Sequence, residues 1–236
     1  MVIPTRIPTG ITGFDEIIQG GLLKNRVYLL SGPPGCGKTT FCVQFLAKGA
    51  MNNEPGLYVS LTESIENIVS DMSNYNFQIN ELIKLQRLEF IDIGPQMGYG
   101  QILSPIPTPI VLFEHIIKHV KENNIQRLVI DSVSAVNLCS EDMKQNDREL
   151  NRFIRNLMKL GCTTVLISEL TNPNSYIAEQ FAAHGVFFLH HFLDNNTKSM
   201  IRAIQVVKMR GTKHDSNMKK LAFSDDGLTV ENISVI

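Results

Sequence analysis

Eight consecutive residues carry the strongest chemical signal in the chain: Gly32-Pro33-Pro34-Gly35-Cys36-Gly37-Lys38-Thr39. They match GxxxxGK[ST], a phosphate-binding loop of Walker A form. The glycines let the backbone turn so that successive N–H groups point at phosphate oxygens. A helix starting here adds a partial positive charge. The candidate phosphate-binding residues are Gly32, Pro33, Gly35, Cys36, Gly37, Lys38, Thr39 and Thr40. Lys38 can reach the β- and γ-phosphates, and Thr39 can hold Mg²⁺. Four defined positions arise by accident in a chain of this length roughly once in a hundred, from average residue usage.

Such a loop needs an acidic partner for the metal. Arg127-Leu128-Val129-Ile130-Asp131 has that form, an apolar strand ending in Asp. Asp131 at the strand's C-terminal tip would orient a metal-bound water, so Thr39 and Asp131 are the candidate metal residues. Cys36 lies inside the loop, and a thiol at a helix N-terminus can have a lowered pKa. It reads either as an ordinary loop position or as a redox-sensitive thiol.

The surrounding pattern supplies the elements that must position these groups. Val27–Ser31 reads as a buried strand leading into the loop, and a helix follows from Lys38. Leu57–Ser60, Leu88–Ile93, Leu128–Asp131 and Cys162–Ser168 are further strands. Ser64–Tyr75, Ile110–Glu122 and Lys144–Leu160 are helices with apolar residues at 3, 4 and 7 spacing. This alternation over residues 27–168 predicts a mostly parallel sheet covered by helices, buried on both faces. After residue 184 the runs GVFFLHH, IRAIQVV, LAF and LTV follow without helices between them and predict an antiparallel β extension of the same sheet. His190-His191 reads as one ring on each face of a strand. Gly94–Pro109 and Thr171–Gly185 read as irregular connections, the second at a strand's C-terminal end where α/β proteins place function.

Composition bounds the partners. The chain has 236 residues, 43% hydrophobic and 19% charged, which excludes disorder and fits one large α/β domain over residues 1–236. Net charge is −1, so no bulk basic field draws the protein to nucleic acid. No apolar run approaches the ~18–20 residues of a membrane span, and the N-terminus has no signal-type apolar region. Cys36, Cys42, Cys139 and Cys162 form no CxxC pair and no zinc spacing. A cytoplasmic protein with reduced thiols is expected.

Three stretches resemble the KaiC-like ATPases of the RecA superfamily: Pro8–Leu22 (PTGITGFDEIIQGGL), Gly32–Gly49 (GPPGCGKTTFCVQFLAKG) and Val207–His214 (VKMRGTKH). The resemblance covers nearly the whole chain and corresponds to one KaiC-type domain, as in many archaeal chains. It implies a RecA-like P-loop core that binds Mg·ATP and assembles as a homo-oligomer, a hexameric ring with nucleotide at subunit interfaces. It further implies that Lys208, Arg210, Thr212 and His214 reach the neighbour's nucleotide. A cation supplied in trans would stabilise charge on the γ-phosphoryl in the transition state. Ser132 and Ser168-Glu169 match places where RecA-like proteins sense the γ-phosphate.

One departure bears on turnover. The family carries two consecutive glutamates after the second strand, the first commonly read as activating water. Here Thr62 stands in its place, followed by Glu63. A threonine hydroxyl is no general base near neutral pH. Glu63 then either takes over as water activator or favours the helix start at Ser64. Slow hydrolysis, or binding of ATP and ADP without significant turnover, follows.

The candidate catalytic set is therefore Lys38, Glu63, Asp131, Lys208 and Arg210. Three uses compete: a regulatory or assembly switch, with autophosphorylation as one form of it; a DNA-repair or recombinase accessory ATPase; and a nucleotide-binding scaffold with negligible turnover. The resemblance favours the switch. The absence of a basic run in Thr171–Gly185 weighs against DNA without ruling it out.

Overall fold

Successive strand residues face opposite sides of a sheet, and the apolar runs of this chain bury both sides. The computed structural model describes residues 5–94, 97–98, 101–102, 109–136, 143–172, 178–194 and 198–234. In chain order the elements are β1 (Arg6–Ile7), α1 (Phe14–Ile17), β2 (Leu22–Leu23), β3 (Val27–Ser31), α2 (Lys38–Met51), β4 (Gly56–Ser60), α3 (Ile65–Met72), α4 (Ile79–Lys84), β5 (Leu88–Asp92), β6 (Met97–Gly98), β7 (Gln101–Ile102), α5 (Pro109–Glu122), β8 (Arg127–Asp131), α6 (Val133–Val136), α7 (Met143–Leu157), β9 (Thr163–Ser168), α8 (Ala178–Ala182), β10 (Gly185–Leu193), β11 (Met200–Met209), β12 (Lys219–Ser224) and β13 (Gly227–Ser234).

Among the described residues nine strands form the main sheet, in the order β13-β12-β11-β10-β3-β9-β8-β4-β5. The strands from β10 to β5 run parallel. Tyr28, Leu30, Tyr58 and Val129 join a core with α1 and α2, whereas Val27, Leu29, Leu57 and Leu128 join a second core with α5 and α7. The helices therefore cover the sheet on two sides, and the C-terminal tips of β3, β4, β8 and β9 end at one edge. This is the mostly parallel, helix-covered sheet expected from the strand–helix alternation, and it has the RecA-like form that the resemblance implies.

The differences from expectation have local causes. β10 is parallel to β3, Gly185 registering with Tyr28, so only β11, β12 and β13 form the antiparallel extension. The segment expected to be irregular before β10 contains the short helix α8. Helix α3 starts one residue later than expected because Ser64 is its cap, its Oγ accepting from the Asn67 N–H at 3.4 Å. Cys139 and most of Gly94–Pro109 lie outside the described residues.

The base of β8 is pinned. Arg127 is 0% exposed. Its Nε and Nη2 donate to Glu54 Oε2 at 2.7 and 2.5 Å, and its Nη1 donates to the carbonyls of Pro8 (2.8 Å) and Phe45 (2.7 Å). The guanidinium also lies 4.7 Å from the Phe45 ring centroid. A buried guanidinium is tolerable only when its donors are spent in this way. The pin ties α2, the chain's N-terminal stretch and β8 together, and so fixes the strand that carries Asp131.

Candidate functional site

The phosphate loop leaves β3 at Ser31 and enters α2 at Lys38. Gly32, Gly35 and Gly37 all have positive φ, at 153°, 74° and 105°. At Gly32 a Cβ would stand 2.4 Å from the Leu189 carbonyl oxygen, and at Gly37 2.8 Å from the Phe223 ring, so any side chain there would fill the loop. No side chain caps the N-terminus of α2, and its first turn holds no acid. The backbone N–H groups of this end are therefore available to an anion. Lys38 Nζ folds over the loop and donates to the carbonyls of Gly32 (2.7 Å) and Pro33 (3.1 Å). A cleft of about 330 Å³ opens beside it, lined among others by Lys38, Thr39, Thr40, Glu63, Arg202 and Phe223. The glycine cradle, the lysine and the open helix end fit a polyphosphate.

Cys36 is fully buried, and burial pushes its thiol up against the pull of Lys38. That is the reverse of the lowering a redox-sensitive thiol needs. Cys42 and Cys162 are likewise buried free thiols.

Asp131 ends β8 where the register sets it beside Ser60 of β4. Burial pushes its carboxyl above the ordinary range; the Tyr58 hydrogen bond and Lys38 pull it back, and Glu169 and Glu63 push it further. The Tyr58 hydroxyl donates to Asp131 Oδ2 at 2.5 Å. Ser132 is buried, and its Oγ donates to Glu169 Oε1 at 3.4 Å. The Glu169 N–H is held by Ser134 Oγ at 3.0 Å. Glu63 is exposed, its backbone fixed by Ser60: its N–H donates to Ser60 Oγ (3.1 Å), which donates back to the Glu63 carbonyl (2.5 Å).

Three carboxylates thus gather at the tips of β4, β8 and β9 beside the threonine of the loop. A divalent cation suits that negative cluster. No group of three or more His, Cys, Asp or Glu among the described residues could hold a metal alone. Magnesium asks for less, since it usually takes one or two protein oxygens and completes its shell with water and phosphate.

Lys208, Arg210, Thr212 and His214 are not part of this cluster. Met209 registers with Gly185, and Gly185 with Tyr28, so the end of β11 lies at the opposite edge of the sheet from the loop. Lys208 Nζ donates to the carbonyls of Gln180 (2.7 Å) and Ala183 (2.8 Å), and Arg210 Nη2 to that of Phe181 (2.8 Å), closing the C-terminal end of α8. Burial and Arg210 lower the Lys208 pKa. Thr212 Oγ1 accepts from Arg6 Nη2 at 3.0 Å, and the His214 ring meets the Thr212 carbonyl at 3.1 Å.

Sequence reasoning missed Tyr58, Arg202 and Phe223. Arg202 Nε donates to the Gly35 carbonyl at 3.1 Å, and its guanidinium lies 5.0 Å from the Phe223 ring centroid. All three sit in ordinary strand patterns, and only strand register brings them to the loop. His190 bonds Gln205 at 3.2 Å, while His191 lies beside Gly35. The two rings thus have different surroundings, as a strand alternation expects.

The chain is similar to several known proteins. The family model for the KaiC ATPase matches residues 7–234. The circadian clock oscillator protein KaiC of Prochlorococcus marinus is 33% identical over 230 residues, covering 95% of this chain and 45% of that protein. Its counterpart in Thermosynechococcus vestitus is 32% identical over 214 residues, covering 89% and 41%. The chain therefore spans about half the length of these relatives. The crystal structure of a KaiC-like protein from the hyperthermophilic archaeon Pyrococcus horikoshii superposes with a TM-score of 0.83 at 29% identity, covering 97% of this chain and all of that one.

Proposed function

The chain belongs to the KaiC family of ATPases, and from that membership we propose that its KaiC-type domain is a Mg·ATP-dependent switch that works as a homo-oligomer, most simply a hexameric ring. Nucleotide binding and ATPase activity come with the family domain. The assignment of roles to residues is our own. Lys38 binds the β- and γ-phosphates, while Thr39 and Asp131 hold Mg²⁺. The remaining loop residues from Gly32 to Thr40 cradle the phosphates through their backbone. When bound, the ion neutralises charge on the transferring phosphoryl group.

Glu63 orients the attacking water and takes its proton. It lines the cleft, and its backbone is clamped by Ser60. Ser132 reports whether the γ-phosphate is present, a role its hydrogen bond to Glu169 supports. Lys208 and Arg210, with Thr212 and His214, act on the neighbour's nucleotide.

The observation that carries the oligomeric reading is the position of Arg210. Its N–H donates to the His184 carbonyl, and the His184 N–H donates to that of Val27. Arg210 thus stands level with the start of β3, and the loop begins five residues on, about 17 Å away at ~3.3 Å per strand residue. An arginine side chain cannot cross that distance, so a finger built from Arg210 must serve another copy.

The regulatory use is favoured over a recombinase role by the near-zero net charge. No helix among the described residues is long and apolar enough to cross a membrane, and we place the protein in the cytoplasm. Isothermal titration with ATP and Mg²⁺, followed by light scattering of the same sample, tests the proposal. Wild type should bind and enlarge, and Lys38→Ala should do neither. Equal binding by Lys38→Ala would remove the phosphate-loop assignment, and ATP binding with no change of mass would remove the assembly.

A further inference from the structure

Tyr58 is fully buried on β4, its ring stacked on Phe90 with centroids 5.6 Å apart. Tyr58 registers with Val129 of β8, two residues before Asp131, so its side chain and that of Asp131 lie on the same face of the sheet. That is the face covered by α2, which begins with Lys38 and Thr39. The phenol donates to Asp131 Oδ2 at 2.5 Å, a short charge-assisted bond.

We propose that Tyr58 is a positioning residue that holds the metal-directed carboxylate of Asp131 in place through its phenol. The inference rests on the reading that Asp131 holds Mg²⁺. A hydroxyl has one proton to give and two lone pairs. The phenol spends its proton on Asp131 Oδ2, which stops the carboxylate from rotating and leaves Oδ1 for an outside partner. One buried ring thus fixes the carboxylate at the tip of β8, on the sheet face covered by α2. Groups that orient metal ligands in this way commonly carry tenfold to hundredfold of the metal affinity.

The test compares wild type, Tyr58→Phe and Phe90→Leu, each first shown by thermal melt to be folded. ATP binding is titrated at a series of Mg²⁺ concentrations and again in EDTA. For Tyr58→Phe the Mg²⁺ concentration giving half-maximal effect should rise about tenfold or more, while binding in EDTA stays unchanged. Phe90→Leu disturbs the stacking without removing the hydroxyl, and should keep the wild-type Mg²⁺ dependence. A Tyr58→Phe shift within about twofold would overturn the proposal. So would an equal loss with and without Mg²⁺, or a Phe90→Leu shift as large as that of Tyr58→Phe. If wild type itself binds ATP without regard to Mg²⁺, the metal reading of Asp131 falls and the positioning role of Tyr58 falls with it.

Discussion

Mixing two inactive variants measures whether the nucleotide site is shared between copies. Lys38→Ala removes the phosphate contact of its own loop but keeps the cations at the end of β11. Arg210→Ala keeps a sound loop and loses the finger it would offer. Arginine fingers are worth on the order of a thousandfold or more in turnover, so each variant alone should be close to silent. In a ring of head-to-tail contacts every site pairs one copy's loop with the next copy's finger. With equal amounts of both, about half the loops are sound and about half of the fingers facing them are sound. Recovered turnover should then be about a quarter of wild type, whatever the number of copies.

A cis arrangement gives no recovery, because no copy holds both sound parts. The sheet register puts Arg210 about 17 Å from the loop of its own chain, which is why a quarter is expected. The assay is steady-state phosphate release from subunits mixed before assembly, with mixed oligomers verified by native mass spectrometry. Absence of recovery in verified mixed oligomers would refute trans action, as would near-normal turnover by Arg210→Ala alone.

Water activation is open to substitution: with Glu63 as the base, Glu63→Gln should lower turnover by about a hundredfold with little change in ATP affinity, and Thr62→Glu should add little, whereas acceleration by Thr62→Glu would show that Glu63 serves only the helix start. If Glu63→Gln leaves steady-state phosphate release unchanged, the role passes to Glu169, which Ser132 already contacts. The Arg127 pin is tested at Gly49, where a Cβ would stand 2.2 Å from Arg127 Cδ and 2.3 Å from its Nε. Because that side chain is held by several hydrogen bonds, Gly49→Ala should cost about 2–3 kcal/mol in urea unfolding, and a loss below about 0.5 kcal/mol would show that the pin yields. The His184 imidazole is lowered to about 4 by burial and by Arg26, Arg210 and Lys208. The unfolded chain takes up that proton near pH ~6.5 and the folded chain only near 4, so stability falls as pH drops through this window. Melting temperature across it should flatten in His184→Gln, and an unchanged slope would remove His184 as the cause.

The loop, its lysine and Asp131 were legible in the sequence because each is local. The loop needs only glycines, a lysine and a helix start within eight residues, and an Asp at a strand tip needs only an apolar strand before it. The strand–helix alternation was legible for the same reason, since burial on both faces writes continuous apolar runs. Glu63 was visible as a carboxylate after β4, but its clamp by Ser60 was not.

What tertiary structure decided were relations between segments far apart in the chain. Tyr58 reaches Asp131 only because β4 lies next to β8, and Glu169 reaches Ser132 only because β9 lies on β8's other side. The direction of β10 depends on the connection through α8, which brings the chain back to the start of β3 instead of turning it as a hairpin. That direction in turn sends Lys208 and Arg210 to the edge opposite the loop. Residue types and local spacing set which groups can bind phosphate and metal, because those demands are met within a few residues. Which groups meet, and which stand too far apart to serve the same chain, is decided by strand order and register, which no local pattern encodes.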